Sequence, residues 1–207
     1  MFRLGCPALI AASLGLLMLV PASFAGQPVA LTLTPPPPSF ETCKAVGAGT
    51  ICEGARTASY GPVDTGIACG SGANSFDIFD KGASKFHAIR YYDLNGNLTQ
   101  RVKHEEYSFG QFSNPLTGAT VPYTQTDTTT DVLAVPGDLS SATVTTTGEN
   151  IYRPVRGAPV FLNAGKTVFA PDGALDFRAG PQNFLDYFVD GDTSVIDRLC
   201  AALGDTQ

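Results

Sequence analysis

The stretch YYDLNGNLTQRVKH, residues 91–104, decides how two strands pair, because a hairpin tip lies inside it. In Asp93-Leu94-Asn95-Gly96 the aspartate comes first, asparagine third and glycine fourth, the layout of a type I turn followed by a glycine bulge. That turn opposes Tyr92 with Leu98, Arg90 with Gln100, Ala88 with Val102 and Phe86 with His104. The rival is a two-residue Asn-Gly turn. It sets His87 directly against His104, but also Arg90 against Arg101 and Phe86 against Glu105. Like charges directly opposed destabilise a strand pair, and a slip of one residue exchanges the faces. The better-sorted register is therefore expected, with His87 and His104, the chain's only histidines, on opposite faces. Other readings of the stretch fail on spacing. Asp93, Asn95 and Asn97 match the first ligands of a calcium loop, yet Leu98 stands where glycine is needed and His104 where glutamate is needed. Asn97-Leu98-Thr99 is a glycosylation sequon, meaningful only in a eukaryotic secretory pathway.

A second tip, Ala170-Pro171-Asp172-Gly173, has the same turn chemistry. It predicts Phe169 opposite Leu175 and Thr167 opposite Phe177 on one face, with Val168–Asp176 and Lys166–Arg178 on the other. From Thr50 onward the chain reads as strands rich in Thr, Val, Tyr and Phe, broken by Gly, Pro, Asn and Asp at short intervals. The exception is TSVIDRLCAALG (193–204). There Val195, Ile196, Leu199 and Leu203 recur at helical spacing, Thr193 or Ser194 can cap the start, and Gly204 can end it. The preceding DYFVDGD (186–192) reads as a solvated loop. The expected fold is mainly β: an antiparallel β-barrel or closed meander of about eight strands with a short C-terminal helix, the alternative being a β-sandwich. The Thr-rich segments 120–138 and 141–150 are polar on both faces. They fit wetted edge strands or a wall around a hydrated lumen.

Residues 1–25 carry one basic residue, a long apolar run and small residues Ser23 and Ala25, the pattern of a signal peptide cleaved after Ala25. No second apolar span follows, so the mature chain is expected to be secreted and free of any membrane span. Residues 26–39, with four consecutive prolines, read as a tether, and 40–207 as one β-rich domain. The mature chain would hold 182 residues (207 − 25) and a charge of −7 (12 basic minus 19 acidic). Such a balance disfavours nucleic acid as a partner. Four cysteines remain, Cys43, Cys52, Cys69 and Cys200, and an even count in an exported chain reads as two disulfides. Zinc is disfavoured because no Cys-x-x-Cys pair exists and neither histidine adjoins a cysteine.

Arg90, Gln100 and His104 fall on the inferred apolar face, where a buried arginine needs a carboxylate; Glu106, two residues beyond His104, is a candidate partner that is not directly opposed. The functional reading is a polar-lined cavity in which Arg90, Tyr92, His104 and Tyr123 hold a small, partly apolar molecule. No nucleophile elbow, phosphate loop or paired carboxylates stand out, so neither catalytic residues nor a cofactor or metal are expected. The alternative function is a structural or interaction protein of the cell surface without a pocket. For the disulfides, Cys43–Cys52 across the flexible VGAG with Cys69–Cys200 is favoured, and Cys52–Cys69 with Cys43–Cys200 is the rival.

The segment CGSGANSFDIFDKG (69–82), the Thr-rich central strands and the closing IDRLCAALG (196–204) resemble small exported β-rich proteins of actinobacteria, a group with no assigned activity. The resemblance spans Phe40 to Gly204. It implies a secreted β-rich domain with a disulfide from the first core strand to the C-terminus, and it carries no catalytic residue.

Overall fold

The computed structural model describes residues 32–47, 49–152 and 161–204; the expected signal peptide and the start of the Pro-rich stretch lie outside them. Eight strands follow in chain order: β1 (Thr42–Val46), β2 (Gly49–Cys69), β3 (Phe76–Tyr92), β4 (Leu98–Ser113), β5 (Thr120–Leu133), β6 (Ala142–Tyr152), β7 (Phe161–Phe169) and β8 (Leu175–Ala179). Each pairs antiparallel with its neighbour in sequence, giving one eight-stranded meander. The sheet is not closed. Strand length falls from 21 residues in β2 to 5 in β8, and the opposite edge, β1, is also only 5 residues long. Strands so unequal cannot keep a common stagger around a barrel. Shortness is itself a way of blunting a sheet edge.

Both hairpin tips form as expected. Gly96 N–H donates to Asp93 O at 3.1 Å and Asp93 N–H to Asn97 O at 2.9 Å, while Gly173 and Ala170 make the equivalent bonds at 2.9 and 2.8 Å. Tyr92 opposes Leu98 and Phe169 opposes Leu175. One residue further, each hairpin bulges a second time, at Thr99 and at Asp176. Beyond these bulges the expected registers are overturned. Arg90 opposes Arg101, Phe86 opposes Glu105, and His87 opposes His104. Likewise Val168 opposes Phe177, Thr167 opposes Arg178, and Lys166 opposes Ala179. At the first bulge the Thr99 hydroxyl donates to Tyr91 O at 3.0 Å. The like-charge pair that argued against this register is neutralised from outside the hairpin: Glu41 takes Arg90, and Asp131 of β5 takes Arg101. Glu105, facing Phe86, is held by Lys103 at 2.7 Å and by the Ser84 hydroxyl at 3.0 Å.

One face of the sheet is covered at its two ends and polar between them. At one end Cys69, Ile78, Phe112, Val121 and Tyr123 pack with Val195, Leu199 and Leu203 of helix α2 (Ser194–Gly204). At the other end Cys52, Tyr92, Leu98, Leu133 and Ala142 pack with Leu33 and Cys43. The Pro-rich stretch is therefore no free tether from Leu33 onward. Thr34 exchanges backbone hydrogen bonds with Gly96 O and Leu98 N–H, both at 2.8 Å, and Tyr92 Oη donates to Pro35 O at 2.9 Å. Disulfides join Cys43 to Cys52 and Cys69 to Cys200, one at each covered end.

The loop expected over 186–192 is instead mostly a helix, α1 (Asn183–Asp190). Gly191, with φ of 72°, ends it: its N–H donates to Tyr187 O and that of Asp192 to Asp186 O. The Gly191 bond is that of a left-handed helix close, a position that favours glycine because it has no Cβ. Arg178 of β8 pairs with Asp186 and Asp190, tying the helix to the sheet edge. Among the described residues no helix is long and apolar enough to cross a membrane.

Candidate functional site

The polar middle of the covered face holds a cavity of about 290 Å³ beneath the end of the Pro-rich stretch. Its floor is strand surface: Ala88 and Arg90 from β3, Arg101 and Lys103 from β4, Thr129 and Asp131 from β5. Pro38, Phe40, Glu41, Arg56 and Phe86 form the wall. Because residues on one sheet face recur at every second position, the spacings 86/88/90, 101/103 and 129/131 place these side chains together. Four cations meet only two carboxylates in the lining, so the cavity is positive in a chain whose net charge is −6.

The cations differ in how they are held. Arg90 Nε donates to Glu41 Oε1 at 3.1 Å, and both side chains are nearly or wholly buried. Arg101 is bonded to the buried Asp131, and Lys103 pairs with Glu105. Arg56 has no carboxylate partner among the described residues. Its guanidinium lies 4.5 Å from the Phe86 ring centre and 5.2 Å from that of Phe40, and the two rings meet edge to face. Stacking of this kind fixes the plane of a guanidinium while leaving its N–H groups free to donate. The second oxygen of Glu41, Oε2, is buried and has no hydrogen-bond partner. A buried oxygen of this kind costs about 1–3 kcal/mol, and more for a charged group, until a donor reaches it. The lining thus offers N–H donors for an anion, one unused acceptor for a donor, and an aromatic wall.

A second polar cluster separates this cavity from the α2 end. Gly82 and Gly110 oppose each other on β3 and β4, and over them lie Tyr60 from β2 and Tyr123 from β5. The two phenol oxygens meet at 2.6 Å. Asp80 accepts from Tyr60 at 2.9 Å and from Tyr123 at 3.1 Å. Burial raises the Asp80 carboxyl above the ordinary range, opposed by the two phenol hydrogen bonds. Burial likewise raises both phenols. Nearby Asp127 is also raised by burial, against the opposing hydrogen bond from Gln125.

The four residues expected to share one site are not assembled. Arg90 lines the cavity but is neutralised by Glu41 rather than by the expected Glu106. Tyr92 sits in the core beside Cys52 and Leu98, bonded to Pro35; burial raises its phenol, against the opposing charge of Arg90. Tyr123 shares the face but belongs to the Asp80 cluster. His104 lies on the opposite face, where its Nδ1 meets Thr128 Oγ1 at 3.0 Å. The residues that build the cavity instead, Arg56, Arg101, Lys103, Phe40, Glu41 and Asp131, left one legible trace: Arg101 and Lys103 alternate along β4. The expected register put them on the reverse face. Nothing in the sequence marked Phe40 and Glu41. The polar surface of β5 and β6, where Thr129 and Thr146 hydroxyls approach to 3.4 Å, belongs to interior strands and not to wetted edges.

No family model, curated protein sequence or solved structure matches this chain.

Proposed function

We propose that this protein is an exported binding module for a small, partly apolar anion, held in the cavity between the Pro-rich stretch and strands β3 to β5. The observation that carries this reading is the cavity lining: four cations, a stacked Arg56 without a carboxylate partner among the described residues, and the wall of Phe40, Phe86 and Pro38. A carboxylate or similar group would take hydrogen bonds from Arg56, Arg101 and Lys103. Its apolar body would lie on the two phenylalanine rings. A hydroxyl or ammonium on the same molecule would satisfy Glu41 Oε2. Small-molecule sites combine apolar walls with a few convergent polar groups in this way. The two disulfides fit an oxidising compartment.

Native mass spectrometry of the protein purified without denaturation tests the reading. The expected result is a bound small anion that is released on collisional activation and is missing from the Arg56→Gln/Lys103→Gln double variant. An adduct that survives the double substitution, or a protein that never carries one, overturns it in favour of a surface or structural role.

A further inference from the structure

We propose that His87 and His104 form a chelating pair for a divalent transition metal, zinc or copper(II), on the open face of the sheet. They are directly opposed on β3 and β4. Directly opposed residues of antiparallel strands hold their Cβ atoms about 4.5–5.5 Å apart. Two imidazoles so placed can close on one ion at metal–nitrogen distances of about 2.0–2.1 Å. Each ring has one nitrogen occupied and one available. His87 Nε2 is 2.9 Å from Glu53 Oε1, and His104 Nδ1 is 3.0 Å from Thr128 Oγ1. This leaves His87 Nδ1 and His104 Nε2 for the metal. A carboxylate on the outer nitrogen of a ligating histidine fixes its tautomer and increases its basicity, the arrangement that recurs around protein-bound zinc.

The surroundings leave room for an ion. Both rings line one open groove of about 430 Å³, with Ala55, Thr57, Lys85 and Glu106. Lys85 opposes Glu106 across the strand pair, and Glu53 is the carboxylate that meets His87. Arg56 also borders the groove, but its guanidinium is turned to the Phe40 and Phe86 rings on the other face. Among the described residues no group of three or more His, Cys, Asp or Glu suits an ion. The protein therefore supplies two ligands and solvent completes the shell. An imidazole pair selects zinc, copper or nickel over magnesium or calcium.

The site lies on the face opposite the anion cavity, with Arg56 and Phe86 bordering both, and its test uses neither residue. Titration of the protein with Zn²⁺ by calorimetry, and with Cu²⁺ followed by electron paramagnetic resonance, is expected to show one equivalent bound, with two nitrogens on the copper. Either His87→Gln or His104→Gln is expected to abolish the two-nitrogen copper spectrum and the saturable zinc heat. His87 is 42% exposed in its side chain and makes no core contact, so its variant keeps the fold, checked by circular dichroism. Absence of saturable binding to the unaltered protein, or a two-nitrogen site that persists in either single variant, overturns the proposal.

Discussion

A glycine pair determines the position of the Tyr60–Tyr123–Asp80 cluster. A Cβ at Gly110 would stand 2.1 Å from Tyr123 Cε2 and 2.3 Å from Cζ, inside the ring. Gly110→Ala must therefore push Tyr123 off Asp80 and out of its packing with Phe112. Overpacking of this kind costs about 1–3 kcal/mol, and urea unfolding is expected to show it as a lower midpoint with an unchanged slope. Asp80 makes a second prediction with a definite sign. A carboxyl raised in the folded state binds its proton more tightly there than in the unfolded chain. Its contribution is then complete below the unfolded value of about 4 and is lost as pH rises through the folded value. Asp80→Asn, which cannot ionise, is expected to remove that loss. Relative to the variant, the unaltered protein should weaken steadily across the window above about pH 4, as the folded-state carboxyl ionises. Parallel stability curves for the two proteins would show that Asp80 does not titrate across this window.

At the scale of elements, helix α2 is the lid of one core. Its stripe of Val195, Ile196, Leu199 and Leu203 is buried. Its last turn is received by Asn114, a buried side chain whose Nδ2 donates to Leu203 O at 3.1 Å. The Cys69–Cys200 link, spanning 131 positions, prevents the helix from leaving. Loop-closure entropy for a loop of this length is worth about 4–5 kcal/mol. Leu199→Ala removes a wholly buried side chain and is expected to cost about 2–5 kcal/mol, read from the denaturant midpoint. A cost near zero would mean that the helix does not pack as described. The helix stripe was legible because its spacing is local, whereas the side chain that accepts a backbone N–H at the helix start is that of Asp192, from Ser194, and Gly204 lies within the helix. The bulges at Thr99 and Asp176 were not legible, since the tip chemistry that precedes them is satisfied with or without a second bulge.

The whole molecule is a tapering sheet with an apolar cluster at each end and charge between them. The cluster of Cys52, Tyr92 and Leu98 shares no residue with that of Ile78, Val121 and Leu199. Interactions without shared partners add independently, and cooperative units open separately. Leu199→Ala is accordingly expected to speed amide exchange at Ile78 and Val121 while leaving Leu98 and Leu133 unchanged. Uniform acceleration along β3, β4 and β5 would show that the two ends open as one unit.

Local chemistry and covalent bonds can be read from the residues alone. That covers a β-rich chain, two turns with their tip hydrogen bonds, one amphipathic helix, and four cysteines from Cys43 onward, for which Cys43–Cys52 with Cys69–Cys200 was the favoured of two pairings and is the one formed. Which residues share a face depends on contacts between segments distant in the chain. As isolated pairs, Arg90 against Arg101 and Phe86 against Glu105 are unfavourable through like charge and mismatch. In the folded chain, Glu41 arrives from before β1 and Asp131 from β5, and each takes one arginine. Cross-strand energies of a few tenths of a kcal/mol are outweighed by charge-assisted hydrogen bonds of about 1.5–3 kcal/mol. The register with His87 beside His104 then becomes the stable one, and the cation cavity and the histidine pair follow from it on opposite faces.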